Sequence, residues 1–187
     1  ISDVTGPSDE AQIKIDKELK KREALDGLEW KAEVAAQDFE RTFVHLWDRL
    51  RATENDWSVW LEFPFTSIRM GQPGQLKKHD LGVMECNWTI PDRDYRFSEW
   101  EKKLEKWSKL YRILETEWHQ EEFDADIKGK RSLFNFTIHA TAKEANERVI
   151  LRGALRVHWS QKKDKGGRWL PGKIELEKLT SFQRKGE

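Results

Sequence analysis

The chain has 187 residues, a length typical of one domain. Its 34 basic and 34 acidic side chains give no net charge, which argues against a nucleic-acid binder, and no run of about 20 apolar residues is present that could span a membrane. Ten Trp, nine Phe and two Tyr argue against disorder and predict a core built from aromatic rings.

Two helices are predicted in the first third of the chain. Residues 1–7 form a polar lead-in, and Ser8 followed by two acids predicts the start of a solvated helix that ends at Asp26-Gly27. A second helix is predicted from about Trp30 to Thr53. Its apolar residues recur at spacings of three and four and share one face: Ala36, Phe39, Phe43, Leu46 and Leu50.

The next segment changes character. Residues 57–70 are aromatic and β-branched and are broken by Pro64, which predicts an extended segment or edge strand. Residues 71–75 read as a turn, and residues 81–90 as a strand. The single cysteine, Cys86, lies in this strand and cannot form an internal disulfide; with no basic neighbour to activate the thiol, we interpret it as structural.

A long helix is predicted over residues 97–118, opened by a capping box at Ser98-Glu99-Trp100-Glu101. Six apolar residues repeat at spacings of four and three: Trp100, Leu104, Trp107, Tyr111, Leu114 and Trp118. A face with three tryptophans indicates a central core element rather than a surface helix.

After this helix the apolar residues alternate with polar ones. Such alternation predicts four antiparallel strands with one apolar face. The strands are centred on residues 123–127, 134–138, 149–159 and 174–176, with turns at 129–130, 145–146 and 165–167.

We divide the chain into an N-terminal segment, 1–29, that holds the lead-in and the solvated helix, and a single α+β domain, 30–187. GVMECNWT at 82–89 echoes GALRVHWS at 153–160. The domain is therefore either one unit or two pseudo-repeats, about 40–95 and 100–183, with chance matches the simpler explanation for so short a signal.

The order helix, helix, one or two strands, long helix, four strands resembles the NTF2-like superfamily, which includes SnoaL-like and ketosteroid-isomerase-like proteins. The last helix and four strands also resemble the cystatin-like arrangement. The similarity covers residues 30–183 and includes the strands RGALRVHW and GRWLPGKIEL. It implies an α+β fold in which a curved antiparallel sheet forms a cone around helices, a pocket in the concave face and a homodimer, but no particular reaction.

No residue pattern indicates catalysis, a metal or a cofactor. His139 and His158 lie on neighbouring predicted strands and could hold a metal with Asp124 or Asp126, but their alternation places them on the solvated face. The acids around His119 in 116–126 also alternate outward, and a solvated turn is the simplest interpretation of the basic hairpin 161–173. We predict no catalytic residue, metal or cofactor.

Four tryptophans are the candidate ligand-binding residues. They fall at predicted element ends, where the rims of concave pockets form: Trp57, Trp60, Trp88 and Trp118. An indole offers a flat apolar surface and one hydrogen-bond donor. The alternative is that these side chains simply fill a core that is short of aliphatic residues.

We therefore expect a non-catalytic binding or accessory domain with a concave aromatic pocket, cut from a longer exported protein, that binds a small apolar ligand or a protein partner. One alternative is an NTF2-like enzyme that performs proton transfer or hydration on a small apolar substrate. It requires an ionisable residue on the apolar strand face, and the alternation supplies none. A second alternative is a helical protein that dimerises through the stripes at 36–50 and 100–118.

Overall fold

The computed structural model describes residues 9–126 and 128–186, without the side chains of Asp9 and Glu10. The chain forms two compact units that meet between Gln37 and Asp38. The predicted lead-in, the helix start at Ser8 and the inward position of Ile127 lie outside the described residues. The division at residue 30 and the pseudo-repeats stay predictions.

The N-terminal part of the chain is one helix, α1, from Asp9 to Ala52. The predicted helix end at Asp26-Gly27 is wrong, and the two predicted helices are one. A Cβ added at Gly27 would have no neighbour within 4 Å, so no packing contact requires this glycine. The cost of a helical glycine, about 1 kcal/mol, is offset by the Lys, Glu, Ala and Leu around it, which favour helix.

The unit formed by residues 38–187 is built on an eight-stranded sheet that is curved and does not close. Six strands run in the order β2-β3-β8-β7-β6-β5, and β1 pairs with β4 and β8. The strands are β1 (Ser67–Met70), β2 (Pro73–Lys78), β3 (Val83–Trp88), β4 (Arg93–Arg96), β5 (Tyr111–Asp126), β6 (Gly129–Ala142), β7 (Glu147–Lys163) and β8 (Trp169–Lys185). The predicted α+β class with a curved antiparallel sheet is confirmed; the β1–β8 pair is parallel.

The curvature has a local cause. The long strands β5 to β8 carry register shifts at several points, including Ile113/Glu115 and Gln120/Glu122 on β5 and Ala154/Leu155 on β7. Each such irregularity bends a strand and increases its twist. A sheet of strands of 14 to 17 residues with repeated bends forms a hollow on one face.

The C-terminal part of α1 fills one end of this hollow. Phe39, Phe43, Leu46 and Leu50 are buried, as their spacing predicts. Phe43 stacks on Phe134 of β6 with the ring centroids 4.1 Å apart.

Hydrogen bonds fix the helix to the β7–β8 hairpin. The hydroxyl of Thr42 donates to the carbonyl oxygen of Trp169 at 2.7 Å, and the indole of Trp169 donates to Asp38 at 2.8 Å. Two bonds in opposite directions between the same two elements set the position of the helix along the hairpin.

The long helix predicted over 97–118 is partly wrong. Helix α2 spans Phe97–Leu110, and the chain then enters β5 at Tyr111. Tyr111, Leu114 and Trp118 continue the helical spacing of α2, but they do not share a face of the strand. The buried residues of this part of β5 are Ile113, Thr116 and Trp118, and a register shift follows Ile113. Leu114, which the helical pattern placed inside, is 41% exposed.

The helix start is also simpler than predicted. α2 begins one residue before Ser98, and only one half of a capping box forms: the carboxylate of Glu99 accepts from the backbone N–H of Arg96 at 2.9 Å.

Between the helices, the prediction of an extended segment at 57–70 is correct only for its end, β1. Trp57–Glu62 is a 3₁₀ helix, because Asp56 caps it by accepting from the N–H of Ser58 at 2.9 Å. The predicted turn at 71–75 extends into the edge strand β2, the predicted strand at 81–90 is β3, and β4 was not predicted. Cys86 is buried on β3, as its structural interpretation requires.

The loop between α1 and the 3₁₀ helix covers part of the sheet edge. Asn55, in a left-handed conformation with φ of 61°, donates its amide to the carbonyl of Leu114 at 2.9 Å. The indole of Trp57 donates to the carbonyl of Tyr111 at 3.1 Å. Because β5 is an edge strand with free backbone groups, these two bonds occupy acceptors that another chain could otherwise use.

Within the described residues, no helix combines the length and the apolar character needed to cross a lipid bilayer.

Two buried hydroxyls on neighbouring strands predict opposite mutational effects. Ser132 of β6 is fully buried and accepts from the indole of Trp159 at 2.8 Å, so Ser132→Ala leaves a buried N–H unpaired and should lower the free energy of unfolding by about 1–3 kcal/mol. The hydroxyl of Thr116 on β5 has no partner among the described residues, so Thr116→Val should be neutral or stabilising. Urea unfolding of both variants measures this difference, and equal losses would contradict it.

The β7–β8 turn predicts a pH dependence. Partial burial opposes ionisation of Asp164, but hydrogen bonds from Arg168 and Gly166 outweigh burial and lower the pKa of this carboxyl. Because its pKa is lowered in the folded state, the ionised carboxyl stabilises the fold at pH values above the unfolded-state pKa of about 3.9. This stabilisation is lost as the pH falls through the folded-state pKa. The melting temperature of Asp164→Asn should lie below that of the wild type at pH 7, and the gap should narrow below about pH 4.

The control is Asp48→Asn, which removes an exposed carboxylate that, among the described residues, pairs with Arg51 on α1. Its effect on the melting temperature should be small throughout, since exposed ion pairs contribute little. A gap for Asp164→Asn that stays constant from pH 7 to pH 3 would contradict the role of the ionised carboxylate.

Candidate functional site

A cavity of about 290 Å³ lies in the hollow of the sheet, within the unit formed by residues 38–187. The C-terminal part of α1, the 3₁₀ helix with the residues after it, and α2 contribute to its wall, as do strands β1, β3 and β5 to β8. The volume is close to the lower end of the range for small-molecule sites, about 300–1,000 Å³. Its wall is almost entirely apolar, and it is not closed off from solvent.

All four candidate tryptophans line this cavity. Trp57 and Trp60 come from the 3₁₀ helix, Trp88 from the end of β3 and Trp118 from the middle of β5, which the sequence placed at a helix end. Trp118 is buried and the other three are half-buried. The structure therefore brings them together around one space; their role in binding a ligand stays a prediction.

The indole N–H groups of these residues differ in their partners. That of Trp57 donates to the carbonyl of Tyr111 at 3.1 Å. Those of Trp60 and Trp118 are shielded from solvent and have no acceptor among the described residues. Their rings lie 5.5 Å apart between centroids at an angle of 60°. Buried donors are normally paired, so these two destabilise the fold. Because each nitrogen is shielded, Trp60 and Trp118 line the cavity with their ring carbons and not with their N–H groups.

A glycine shapes the wall beside them. Phe136 of β6 stacks on Trp118 at 5.2 Å and extends across Gly153, its neighbour on β7. A Cβ at residue 153 would lie 2.6 Å from the Phe136 ring and 2.4 Å from the backbone oxygen of Lys178. Glycine is required at residue 153 because of this close approach and not because of its backbone conformation, since its φ lies outside the left-handed region.

Sequence reasoning missed other parts of the wall. Phe63 and Phe65 fall in the segment predicted to be extended, and Trp100 and Trp107 on a helix face predicted to pack in a solid core, but all four line the cavity. Trp100 and Trp107 are half-buried and meet edge to face at 5.6 Å. The spacing of Trp100 and Trp107 is sufficient to predict which face of α2 is apolar, but it does not predict that a cavity lies beside that face.

The lining includes no Asp, Glu, His, Lys or Arg. His45 lies outside it beside Phe63, where burial and the charge of Arg168 lower the pKa of this imidazole. His119 lies against Trp47, and His79 is 2.5 Å from Glu85. The chemistry of the cavity wall is therefore that of apolar contact and of neutral hydrogen bonding.

The alternative in which His139 and His158 together hold a metal is contradicted by their positions. Their strands are neighbours, but His139 lies opposite Ile150 and His158 opposite Arg131, eight positions along β6, which is about 26 Å. His158 is instead 3.6 Å from Glu175 on β8. Among the described residues, no three His, Cys, Asp or Glu side chains come together as a metal site.

The acids of 116–126 and the hairpin 161–173 form ion pairs away from the cavity. Asp126 pairs with Arg131 at 2.9 Å, and Asp164 pairs with Arg168 at 2.9 Å. Glu122 lies 3.8 Å from Arg156. These charges stabilise strand pairs and a turn, as their solvated interpretation predicts.

No protein-family model matches the sequence, and no curated protein matches it significantly. Among solved structures, the chain is similar to the crystal structure of a conserved protein from Planctomyces limnophilus DSM 3776. The TM-score is 0.52 and the sequence identity 15%, over 78% of this chain and 98% of that chain. At this identity the likeness shows a shared fold.

The wall glycine generates a prediction. Gly153→Ala should lower the free energy of unfolding by about 1–3 kcal/mol, because the added methyl group forces Phe136 or the β8 backbone to move. Near-UV circular dichroism should change with it, since Phe136 stacks on Trp118. Gly27→Ala is the matched control: its added methyl group meets no atom, so no loss is expected. Equal behaviour of the two variants would contradict the assigned contact.

Proposed function

We propose that this protein is a non-catalytic binding domain that holds a small apolar ligand in its aromatic cavity. The observation that carries the proposal is the cavity itself: about 290 Å³ of space with an almost wholly apolar wall in which indole and phenyl rings predominate. Such a wall binds through the hydrophobic effect and ring stacking, with polar groups left to orient the ligand.

Membership of the NTF2-like superfamily is part of the same proposal. It is supported by the α+β class, by the position of the long strands after α2 and by a cavity on the concave face of a curved sheet. The resemblance then implies a pocket-bearing domain, and the homodimer that it also implies remains a prediction.

The composition of the wall favours binding over catalysis. Proton transfer or hydration needs a general acid or base within hydrogen-bond reach of the substrate. The phenol of Tyr111 is the one acidic or basic side chain among the lining residues. The domain is accordingly proposed as a holder of its ligand.

Binding is tested with naphthalene, because the cavity is about twice the roughly 150 Å³ that accommodates one benzene ring. Equilibrium dialysis, read by naphthalene absorbance, should show saturable binding to the wild type. Ala140 is buried in the cavity wall, and Ala140→Phe places about one ring in the space. This variant should bind at least about tenfold more weakly, a loss of about 1.4 kcal/mol.

The matched control is Ala142→Phe, which makes the same substitution two residues further along β6 and outside the cavity lining. Its affinity for naphthalene should equal that of the wild type. The proposal is overturned if the wild type takes up no naphthalene, or if Ala140→Phe binds it as well as the wild type does.

A further inference from the structure

We infer that the ligand of this cavity is an uncharged, mainly apolar molecule with one hydroxyl group, and that a polar pair on β8, Ser181 and Gln183, binds this hydroxyl group. The inference rests on the proposed binding function and deepens it. It names the chemical class of the ligand and the two side chains that would select it.

The first observation is the state of the Ser181 hydroxyl. Ser181 is only 7% exposed and lines the cavity. Its hydroxyl has no hydrogen-bond partner among the described residues. Unlike the indole nitrogens of Trp60 and Trp118, its oxygen is not shielded from contact with a water molecule. Because the side chain is buried in the fold while its oxygen stays accessible, that oxygen faces the space of the cavity.

The second observation is the neighbouring amide of Gln183. Side chains alternate along a strand, so Leu179, Ser181 and Gln183 face the same side of β8, and all three line the cavity. Gln183 is half-buried, and its carboxamide makes no hydrogen bond to a described residue. Residues two apart on a strand have Cα atoms about 7 Å apart. One ligand oxygen between the two side chains can contact both, since each hydrogen bond spans about 2.8–3.0 Å.

The surroundings of the polar pair are apolar. Ser181 lies opposite Leu151 of β7, and Gln183 lies opposite Val149. Val149 in turn lies opposite Ala140 of β6. Leu151, Val149 and Ala140 all line the cavity. A ligand in this part of the cavity therefore meets apolar side chains on one side of the polar pair and finds its hydrogen bonds at β8.

Other polar side chains of the wall are placed differently. The hydroxyl of Thr42 already donates to the carbonyl of Trp169 at 2.7 Å. Tyr111 is on β5, three strands from β8 in the sheet, which is about 14 Å across it. The polar pair is thus the place where two accessible polar groups without partners among the described residues lie side by side.

A hydroxyl group matches the chemistry of the polar pair. A serine hydroxyl donates one proton, and a glutamine carboxamide offers an acceptor oxygen and two N–H donors. A ligand hydroxyl can accept from Ser181 and donate to the carboxamide oxygen of Gln183. A ligand carbonyl only accepts, so it would leave the Gln183 oxygen without a donor.

The charge of the wall favours a neutral ligand. An isolated carboxylate in an apolar site is strongly disfavoured unless a cation accompanies it. No Lys, Arg or His is present among the described residues that line the cavity. An uncharged hydroxyl compound therefore fits this wall, and an anion does not.

The test compares two probes with the same rings, naphthalene and 2-naphthol, by equilibrium dialysis at pH 7. The ratio of their association constants is measured for each protein, because comparing ratios between variants cancels the different hydration of the free probes. Ser181→Ala and Gln183→Met each remove one partner of the naphthol hydroxyl. In each variant the ratio of 2-naphthol to naphthalene binding should fall about fivefold, the effect of one net hydrogen bond.

Thr180→Val is the matched control. Thr180 precedes Ser181 on β8, faces the opposite side of the sheet and donates to Asn87 at 2.8 Å. It loses a hydroxyl from the same strand but outside the cavity, so its ratio should stay at the wild-type value. Gln183→Met replaces a half-buried side chain by one of similar length, so it remains informative if Ser181→Ala does not fold.

The outcomes separate this inference from the proposed function. If naphthalene binds the wild type but a folded variant of Ser181 or Gln183 keeps the wild-type ratio, the cavity binds apolar ligands and the hydroxyl assignment is overturned. The assignment is also overturned if Thr180→Val lowers the ratio as much as the other variants do, or if the wild type binds 2-naphthoate more tightly than 2-naphthol. If no probe binds at all, the proposed function fails as well.

Discussion

The packing of aromatic rings over the hollow of the sheet is the constraint on which this structure depends. The elements that cover the hollow carry few aliphatic side chains, so rings such as those of Phe43, Trp60 and Trp100 do most of the covering. Flat rings meet at preferred distances and angles and cannot deform to fill irregular space. A curved sheet covered by aromatic rings therefore leaves an unfilled space beneath them. Branched aliphatic side chains would instead interdigitate and fill that space at the packing density of a protein interior.

Hydrogen bonds divide the tryptophans into two groups. Trp57 donates to a carbonyl of β5 and Trp169 donates to Asp38 of α1, so both attach covering elements to the sheet. Trp159 of β7 donates to Ser132 of β6 and so joins two strands. Trp60 and Trp118 donate to no described residue and lie on the cavity wall. The first group connects secondary-structure elements around the cavity, and the rings of the second group form part of its apolar wall. Both roles use the same side chain, which presents a large apolar surface and one N–H.

Periodicity alone predicts much of this fold. The buried face of α1 and the strands β6, β7 and β8 could be derived because most of their core residues repeat at a regular spacing, as Phe39 and Phe43 do on the helix. The end of α2 could not, since the apolar residues Tyr111, Leu114 and Trp118 continue the helical spacing into β5, although Leu114 is exposed there. Tryptophans at element ends predict a concave pocket, but which indoles lack partners depends on contacts such as that of Trp57 with a carbonyl 54 residues away.

The unpaired donors link ligand binding to stability. Each buried N–H without a partner among the described residues destabilises the fold by about 1–3 kcal/mol, and two of them represent a sizeable part of a typical stability of about 5–15 kcal/mol. Ligand binding can offset this loss by mass action, since a ligand present at 100 times its Kd stabilises the fold by about 2.7 kcal/mol.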